Sequence, residues 1–567
     1  MGPNLVIYQW GRYSEKDGGR VTRPDFIITN ANIITLDKHN TIAGSVAVTN
    51  GRISGIWKEQ EPPRNEVMRD GKTEVLNLKG KTLLPGFIDT HNHLLMYAVF
   101  QQQVDCRTPP NQSIDDIIKN IKEKAETLSP GEWIIGWGYD DTLLKEKRHP
   151  TREDLDKAAP HHPVYISHIS GHLAAVNSMA LKLAGLGDSI TDPKGGHFGR
   201  DAFGRLNGVI YELSALKMIQ DVLPKANVHQ LASLLGEAAY DYVRQGITTS
   251  TEAAAGLQHG EMELEAYLLA SQKDFNPLKM RLMIMHEIVD AKYAHYTPQQ
   301  LNQELLDRSD QRVKLDSIKL FQDGSIQGLT AALRQPYHNQ PHLNGELIYE
   351  QEQLNQLVLK FHKKGYRLAI HGNGDRAIGS ILDAYQFALI SLPRPDHRHR
   401  IEHVQTATIE DLDRIKTLNV AASFFINHVY YWGDRHARLF LGSKRASRIN
   451  PLQEAVQRDI LFTLHSDCPI TPISPLFSIW AAVNRLTKDG DILGADQRID
   501  VLTALKAMTS AGAKLNFEEE ETGSIEVGKQ ADLVVLGENP LRCHPLEIKD
   551  IPIDCTIIAG QIKHCLL

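Results

Sequence analysis

Eight short apolar runs recur along this chain, and each closes on polar residues. In order they are "LLPGFIDTHNH" (83–93), "GITTSTEA" (246–253), "RLMIMHE" (281–287), "DSIKLFQDG" (316–324), "YRLAIHGNG" (366–374), "HRIEHVQ" (399–405), "VAASFFINH" (420–428) and "ILFTLHSD" (460–467). Helical stretches lie between most of them, such as "QEQLNQLVLKFHKKG" (351–365) and "AIGSILDAYQFALISL" (377–392). Strand–helix alternation of this kind builds a parallel sheet covered on both faces. Eight units within residues 85–475 predict an α/β chain folded as a (β/α)8 TIM barrel with insertions. A doubly wound open sheet is the alternative, but no GxGxxG follows the first run.

The flanks have another texture. "DFIITNANIITLD", "SVAVTNGRISGIW" and "EVLNLKGKTLLPG" are β-branched segments broken by turns, with Asn50–Gly51 as a hairpin signal. "TGSIEVGKQADLVVLG" and "CTIIAGQIKH" repeat that texture at the far end. We read one composite β-sandwich from 25–84 and 476–567, with barrel-flanking helices near 476–515, rather than two independent extensions. Residues 1–24 read as a loosely ordered N-terminal arm rich in Gly and charge. Residues 95–245 are too long for one strand–helix unit, so they are expected to form an inserted lid subdomain over the barrel mouth.

A net charge of -7 offers no broad basic field for nucleic acid or anionic membrane. No apolar run is long enough to span a bilayer, and the first residues lack a signal-peptide pattern. Five scattered cysteines without a CxxC imply a reducing compartment, hence a cytoplasmic protein. The expected partner is a small molecule, and a homodimer stays open.

Barrel chemistry sits at the C-terminal strand ends. There the chain carries His91 and His93, Lys319, His371, His403 and Asp467. Neutral imidazoles and a carboxylate suit zinc and similar divalent ions. A lysine ammonium repels a metal. Deprotonated and capped by CO2 as a carbamate, it offers two oxygens that can bridge two ions. Asp467 could bind an ion and also accept a proton from metal-bound water, whose pKa the ion brings toward neutrality.

"PGFIDTHNH", "IKLFQDGS", "AIHGNGDRAI", "RIEHVQ" and "LHSDCPITP" resemble the amidohydrolase superfamily, in the branch that includes N-substituted formamide deformylases. "GWGYDD", "SHISGHLAAVNSMAL" and the tail "GSIEVGKQADLVVL" extend the resemblance over roughly 25–564. It implies the same fold, with one or two divalent ions, most often zinc. His91 and His93 would hold the more buried ion with Asp467. His371 and His403 would hold the second, and Lys319 would bridge as a CO2-derived carbamate. Asn373 stands where relatives often carry a small apolar residue.

The implied reaction is hydrolysis of a non-peptide carbon–nitrogen bond, of N-substituted formamide type, by a metal-activated hydroxide. Asp467 would be general acid and base, with Lys319 and His403 completing the catalytic set. A deaminase of the superfamily is one alternative. Such enzymes generally lack the strand-four lysine and carry a Glu soon after the strand-five histidine, where this chain has Gly372, Asn373, Gly374 and Asp375. A non-catalytic relative is another, though no ligand is missing. Substrate contacts are expected from Trp137, Tyr139, Asp140 and His172 of the insertion. Asp323, Ser325 and Gln327 after strand four, and His428, Tyr431 and Trp432 after strand seven, complete the expected pocket. Their aromatic character implies a bulky organic amide.

Overall fold

Eight runs of β-branched and aliphatic residues become strands because they are covered on both sides. In the computed structural model, which describes residues 23–63, 67, 73–169, 173–193, 196–273 and 275–567, they form one parallel sheet. Its strands are β1 (Phe87–Asn92), β2 (Ile247–Ala255), β3 (Lys279–Met285), β4 (Val313–Phe321), β5 (Leu368–Gly372), β6 (Arg400–His403), β7 (Ala421–Phe424) and β8 (Phe462–Leu464). Each strand pairs with the next in chain order. The last gap, between β8 and β1, is spanned by side chains: Thr90 and Thr463 share a hydroxyl hydrogen bond of 2.8 Å. The sheet is therefore a nearly closed eight-stranded barrel.

Helices pack outside it. The helix Val228–Arg244 buries Leu231, Leu235, Tyr242 and Val243, and each of the three aliphatic side chains is worth roughly 1.5–3 kcal/mol against exposure. Its start is fixed by Asn227, whose side chain accepts from Gln230 N at 3.0 Å. Thr408 and Asp411 form a reciprocal capping box on the helix after β6, at 3.0 and 3.1 Å.

The barrel interior is unusually polar. Arg400, Glu402, Asp316 and Lys319 are buried there or at its rim. Arg367 Nη2 reaches Asp316 Oδ1 at 2.5 Å, and Arg400 Nε reaches Glu402 Oε1 at 2.5 Å. Buried charges persist only when paired in this way.

Two further sheets draw on the ends of the chain. One has the strand order Arg52–Trp57, Ser45–Thr49, Phe26–Thr29, Glu74–Asn77. The other runs Gln561–Cys565, Ile553–Ile558, Leu533–Leu536, Thr82–Pro85, Asn32–Ile34, Ile42–Ala43, so it mixes strands from both ends. The two share a core in which Phe26, Ile28, Val46 and Val48 meet Ile33, Leu83, Leu533, Val535 and Ile557. Asn50 and Gly51 turn the expected hairpin with φ of 50° and 72°, as a tight two-residue turn requires.

Between β1 and β2 the chain forms a six-stranded sheet of its own. Its order is His197–Arg200, Leu206–Tyr211, Leu173–Val176, Val164–His168, Ile134–Tyr139, Val104–Asp105. The helices Ile114–Ala125 and Arg152–Ala158 share one apolar cluster with it, and Ser178–Leu183 contributes to another. The N-terminal arm lies, but for its last two residues, outside the described residues. Among the described residues, no helix is long and apolar enough to cross a membrane.

Candidate metal centre

The strand ends gather histidines because the sharp exits from β6 and β8 aim side chains inward. His403 and Val404 have φ of 74° and 48°, and Asp467 has 54°. Left-handed backbone at non-glycine residues, one of them β-branched, is costly and typical of functional sites.

His91 and His93 are oriented the same way. His91 Nδ1 lies 2.5 Å from Glu402 Oε2. His93 Nδ1 lies 3.1 Å from Glu252 Oε1. Both rings thereby present Nε2 to Asp467 Oδ1, at 3.3 and 3.4 Å. One ligand atom from each of His91, His93 and Asp467 lies within 4.8 Å of the others, and the same is true of His91, His403 and His465. A carboxylate behind each imidazole is the usual support of a metal-ligating histidine.

The residues fit a divalent ion on a further observation. Lys319 Nζ and Asp467 Oδ1 are buried and make no hydrogen bond. Orphaned buried polar atoms are rare, and here they stand among imidazoles. Burial pulls the Lys319 ammonium down to about 8, against the raising influence of Glu402 and Asp467. Burial works to raise Glu402, but Arg400, His91 and Lys319 outweigh it and hold the carboxyl well below the usual range.

The second pair of expected ligands is arranged differently. The His371 ring lies against His403 at 4.5 Å between centroids. Its Nε2 meets the Gly324 carbonyl at 3.0 Å and Asn373 Nδ2 at 2.9 Å. Asn373 thus touches a histidine of the centre directly. His403 Nδ1 faces His465 Nε2 at 3.1 Å, and His465 Nδ1 meets the Ser423 hydroxyl at 2.9 Å.

The expected substrate residues are spread more widely. His428 is buried, stacks on Trp432 at 4.3 Å and meets Phe425 at 4.5 Å. Phe425 in turn lies 5.7 Å from His403. Tyr431 packs on Trp432 and Phe477, at 5.9 and 5.7 Å. Asp323 braces the loops after β4 and β5, accepting from Ala332, Asn373 and Gly374 N at 2.9, 3.0 and 2.8 Å. Burial nevertheless lifts its carboxyl to about 7. The Ser325 hydroxyl accepts from Gly328 N at 3.1 Å within the same loop. Gln327 Oε1 is buried and makes no hydrogen bond.

Trp137 stacks on Phe100 at 4.2 Å and lines a cavity of about 660 Å³ with Arg107, Tyr97, Cys468 and Pro469. Cys468 follows Asp467 in the chain, but neither the aspartate nor a histidine of the centre lines the cavity. Tyr139 lies in the insert's own core, its hydroxyl 3.2 Å from His149. Asp140 holds Thr142 N at 3.0 Å. His172 lies outside the described residues.

Sequence reasoning missed Glu402, Arg400, Glu252 and His465. A signal existed for two of them: Arg400 and Glu402 sit two apart in one strand, so both side chains share a face of the sheet.

A parallel barrel whose C-terminal strand ends converge histidines on a buried aspartate has the architecture of a metal-dependent hydrolase. The sequence family model described as "Amidohydrolase family" matches residues 74–564. The chain therefore belongs to the amidohydrolase family and is a hydrolase acting on carbon–nitrogen bonds. It is 29% identical over 556 residues to the N-substituted formamide deformylase of Arthrobacter pascens, covering 95% of this chain and 98% of that one. It is 30% identical over 524 residues to Protein LONG AFTER FAR-RED 3 of Arabidopsis thaliana, covering 91% and 87%. The crystal structure of an uncharacterized metal-dependent hydrolase from Pyrococcus horikoshii shares the fold, with a TM-score of 0.75 at 24% identity over 92% of this chain and 98% of that one.

Proposed function

We propose that the chain hydrolyses a small N-substituted formamide or a related non-peptide amide. The observation that carries this reading is the paired support of His91 by Glu402 and of His93 by Glu252, which turns both Nε2 atoms toward Asp467. The relative from Arthrobacter pascens supports the substrate class.

His91, His93 and Asp467 would hold one ion, most readily zinc, and His371 and His403 a second. When bound, such an ion acts as a Lewis acid on the substrate carbonyl and lowers the pKa of water. Asp467 takes the proton of the attacking water and passes it to the leaving nitrogen, so formate and a free amine result from a formamide. His465 faces His403 Nδ1 at 3.1 Å and helps to orient that ring. Lys319 works as a carbamate: its neutral amine adds to CO2, an N–C bond forms and one proton leaves. The orphaned Nζ in a buried, histidine-lined site supports that form.

The insert between β1 and β2 serves as a lid, with Trp137 reaching toward the barrel loops, and the two end sheets form a composite β-sandwich. The five cysteines are free, which supports a cytoplasmic setting. A panel of N-substituted formamides, acyl amides and cyclic ureas on metal-replete protein tests the substrate reading. Turnover of formamides with release of formate is expected. Turnover of cyclic ureas alone would overturn it.

A further inference from the structure

The insert carries a second group of ligand-type side chains, remote in sequence from the barrel's strand ends. The strand Ile134–Tyr139 runs straight into Asp140 and Asp141, and its parallel neighbour Val164–His168 ends on His168. His149 comes from the connection between them. His168 Nε2 lies 3.1 Å from Asp141 Oδ1, and His149 Nδ1 lies 3.7 Å from the same oxygen. One ligand atom each from Asp140, Asp141 and His168 falls within 4.8 Å of the others.

A plain ion-pair cluster is the ordinary explanation, and the charges argue against it. Among the described residues, neither Asp140 nor Asp141 has a Lys or Arg within ion-pair distance; Asp141 meets only the two imidazoles. Asp140 spends Oδ1 on Thr142, accepting from its N at 3.0 Å and its hydroxyl at 2.5 Å. Two adjacent carboxylates beside two imidazoles, drawn from three segments, make the donor set of a first-row transition ion.

We propose that the insert binds a second kind of metal, a structural zinc-class ion held by Asp140, Asp141 and His168. His149 is its fourth ligand, giving up its 3.2 Å hydrogen bond with the Tyr139 hydroxyl. The ion neutralises the two carboxylates and ties the ends of two neighbouring strands to the connection between them. It is independent of the barrel centre.

The test uses the full-length protein, stripped with chelator, reloaded with zinc and desalted. Asp141→Asn and His168→Gln should each lower bound zinc by about one equivalent per chain, with formamide turnover retained. A His91→Ala/His93→Ala/His403→Ala variant should lose turnover yet keep about one equivalent. Loaded with cobalt, it should show the visible bands of a four-coordinate ion. Unchanged zinc in the two insert variants, or no cobalt bands in the barrel variant, would overturn the proposal. Loss of all metal from the barrel variant likewise overturns it. Far-UV circular dichroism identifies an insert variant that has lost its fold, and the barrel variant's cobalt spectrum then decides.

Discussion

The Glu402 carboxylate stands between His91 Nδ1 and Arg400 Nε, 2.5 Å from each. The guanidinium also donates to the Thr90 carbonyl at 2.8 Å, on the strand that delivers His91. One buried carboxylate thus orients a metal-type histidine and balances a buried arginine. Glu402→Gln keeps the shape and removes the charge. Arg400 is then left with Asp316 at 3.8 Å as its remaining counter-charge. Zinc affinity should fall about 10–100-fold, measured by chelator competition. Stability should fall by about 3–5 kcal/mol, measured by denaturant unfolding. Unchanged affinity would show that His91 needs no such support.

Acid should act at the opposite end of the barrel. Glu518 is buried and accepts from Arg281 Nε at 3.0 Å and from Lys314 Nζ at 2.5 Å. Burial opposes ionisation, but Arg281 and Lys314 hold the carboxyl below the usual glutamate range. A depressed folded pKa means that its stabilisation is complete above the unfolded value, about 4.3. It is lost as pH falls through the folded value. Glu518→Gln should therefore lower the melting temperature at neutral pH. The gap to wild type should narrow below about pH 4.3. A gap that stays constant into acid would contradict this assignment.

The eight barrel strands were legible because each is a short β-branched or aliphatic run closing on polar residues, and five of them carry a His, Lys or Asp of the expected ligand set near that end. What the runs cannot display is which partners stand behind those ends. Glu252 lies 159 residues from the His93 it supports, and Glu402 lies 311 from His91. Such pairs exist only once the barrel closes. The insert was half legible. The strand-like run "HPVYISHIS" (162–170) marked Val164–His168, whereas Leu173–Val176, His197–Arg200 and Leu206–Tyr211 carried no comparable signal. These short strands are fixed by pairing with one another, Ala174 and Phe198 each opposite Ile210, which a local pattern does not display.

Trp137 tests the lid reading. It stacks on Phe100 and carries the Arg107 guanidinium 5.3 Å from its ring. Trp137→Ala should shift the ratio of kcat/KM between bulky and small amides by more than about tenfold, with a modest change in melting temperature. A sharp loss of stability with unchanged preference would assign the ring to packing.

Lys319 tests the carbamate. Lys319→Ala should lower metal content and abolish most activity, and formate or acetate should restore part of it by filling the vacated space. Lys319→Arg should resist rescue, since a guanidinium keeps its charge and occupies the gap. Full activity in Lys319→Ala without added acid would remove the lysine from the mechanism.

Anomalous diffraction at the zinc edge, on crystals of the zinc-loaded full-length protein, tests the centre itself. A strong peak is expected among His91 Nε2, His93 Nε2 and Asp467 Oδ1, with Lys319 capped by carbamate density beside it. Fully loaded crystals with no peak at those three atoms would contradict the metal centre, and a peak there beside a bare Lys319 amine would contradict the carbamate.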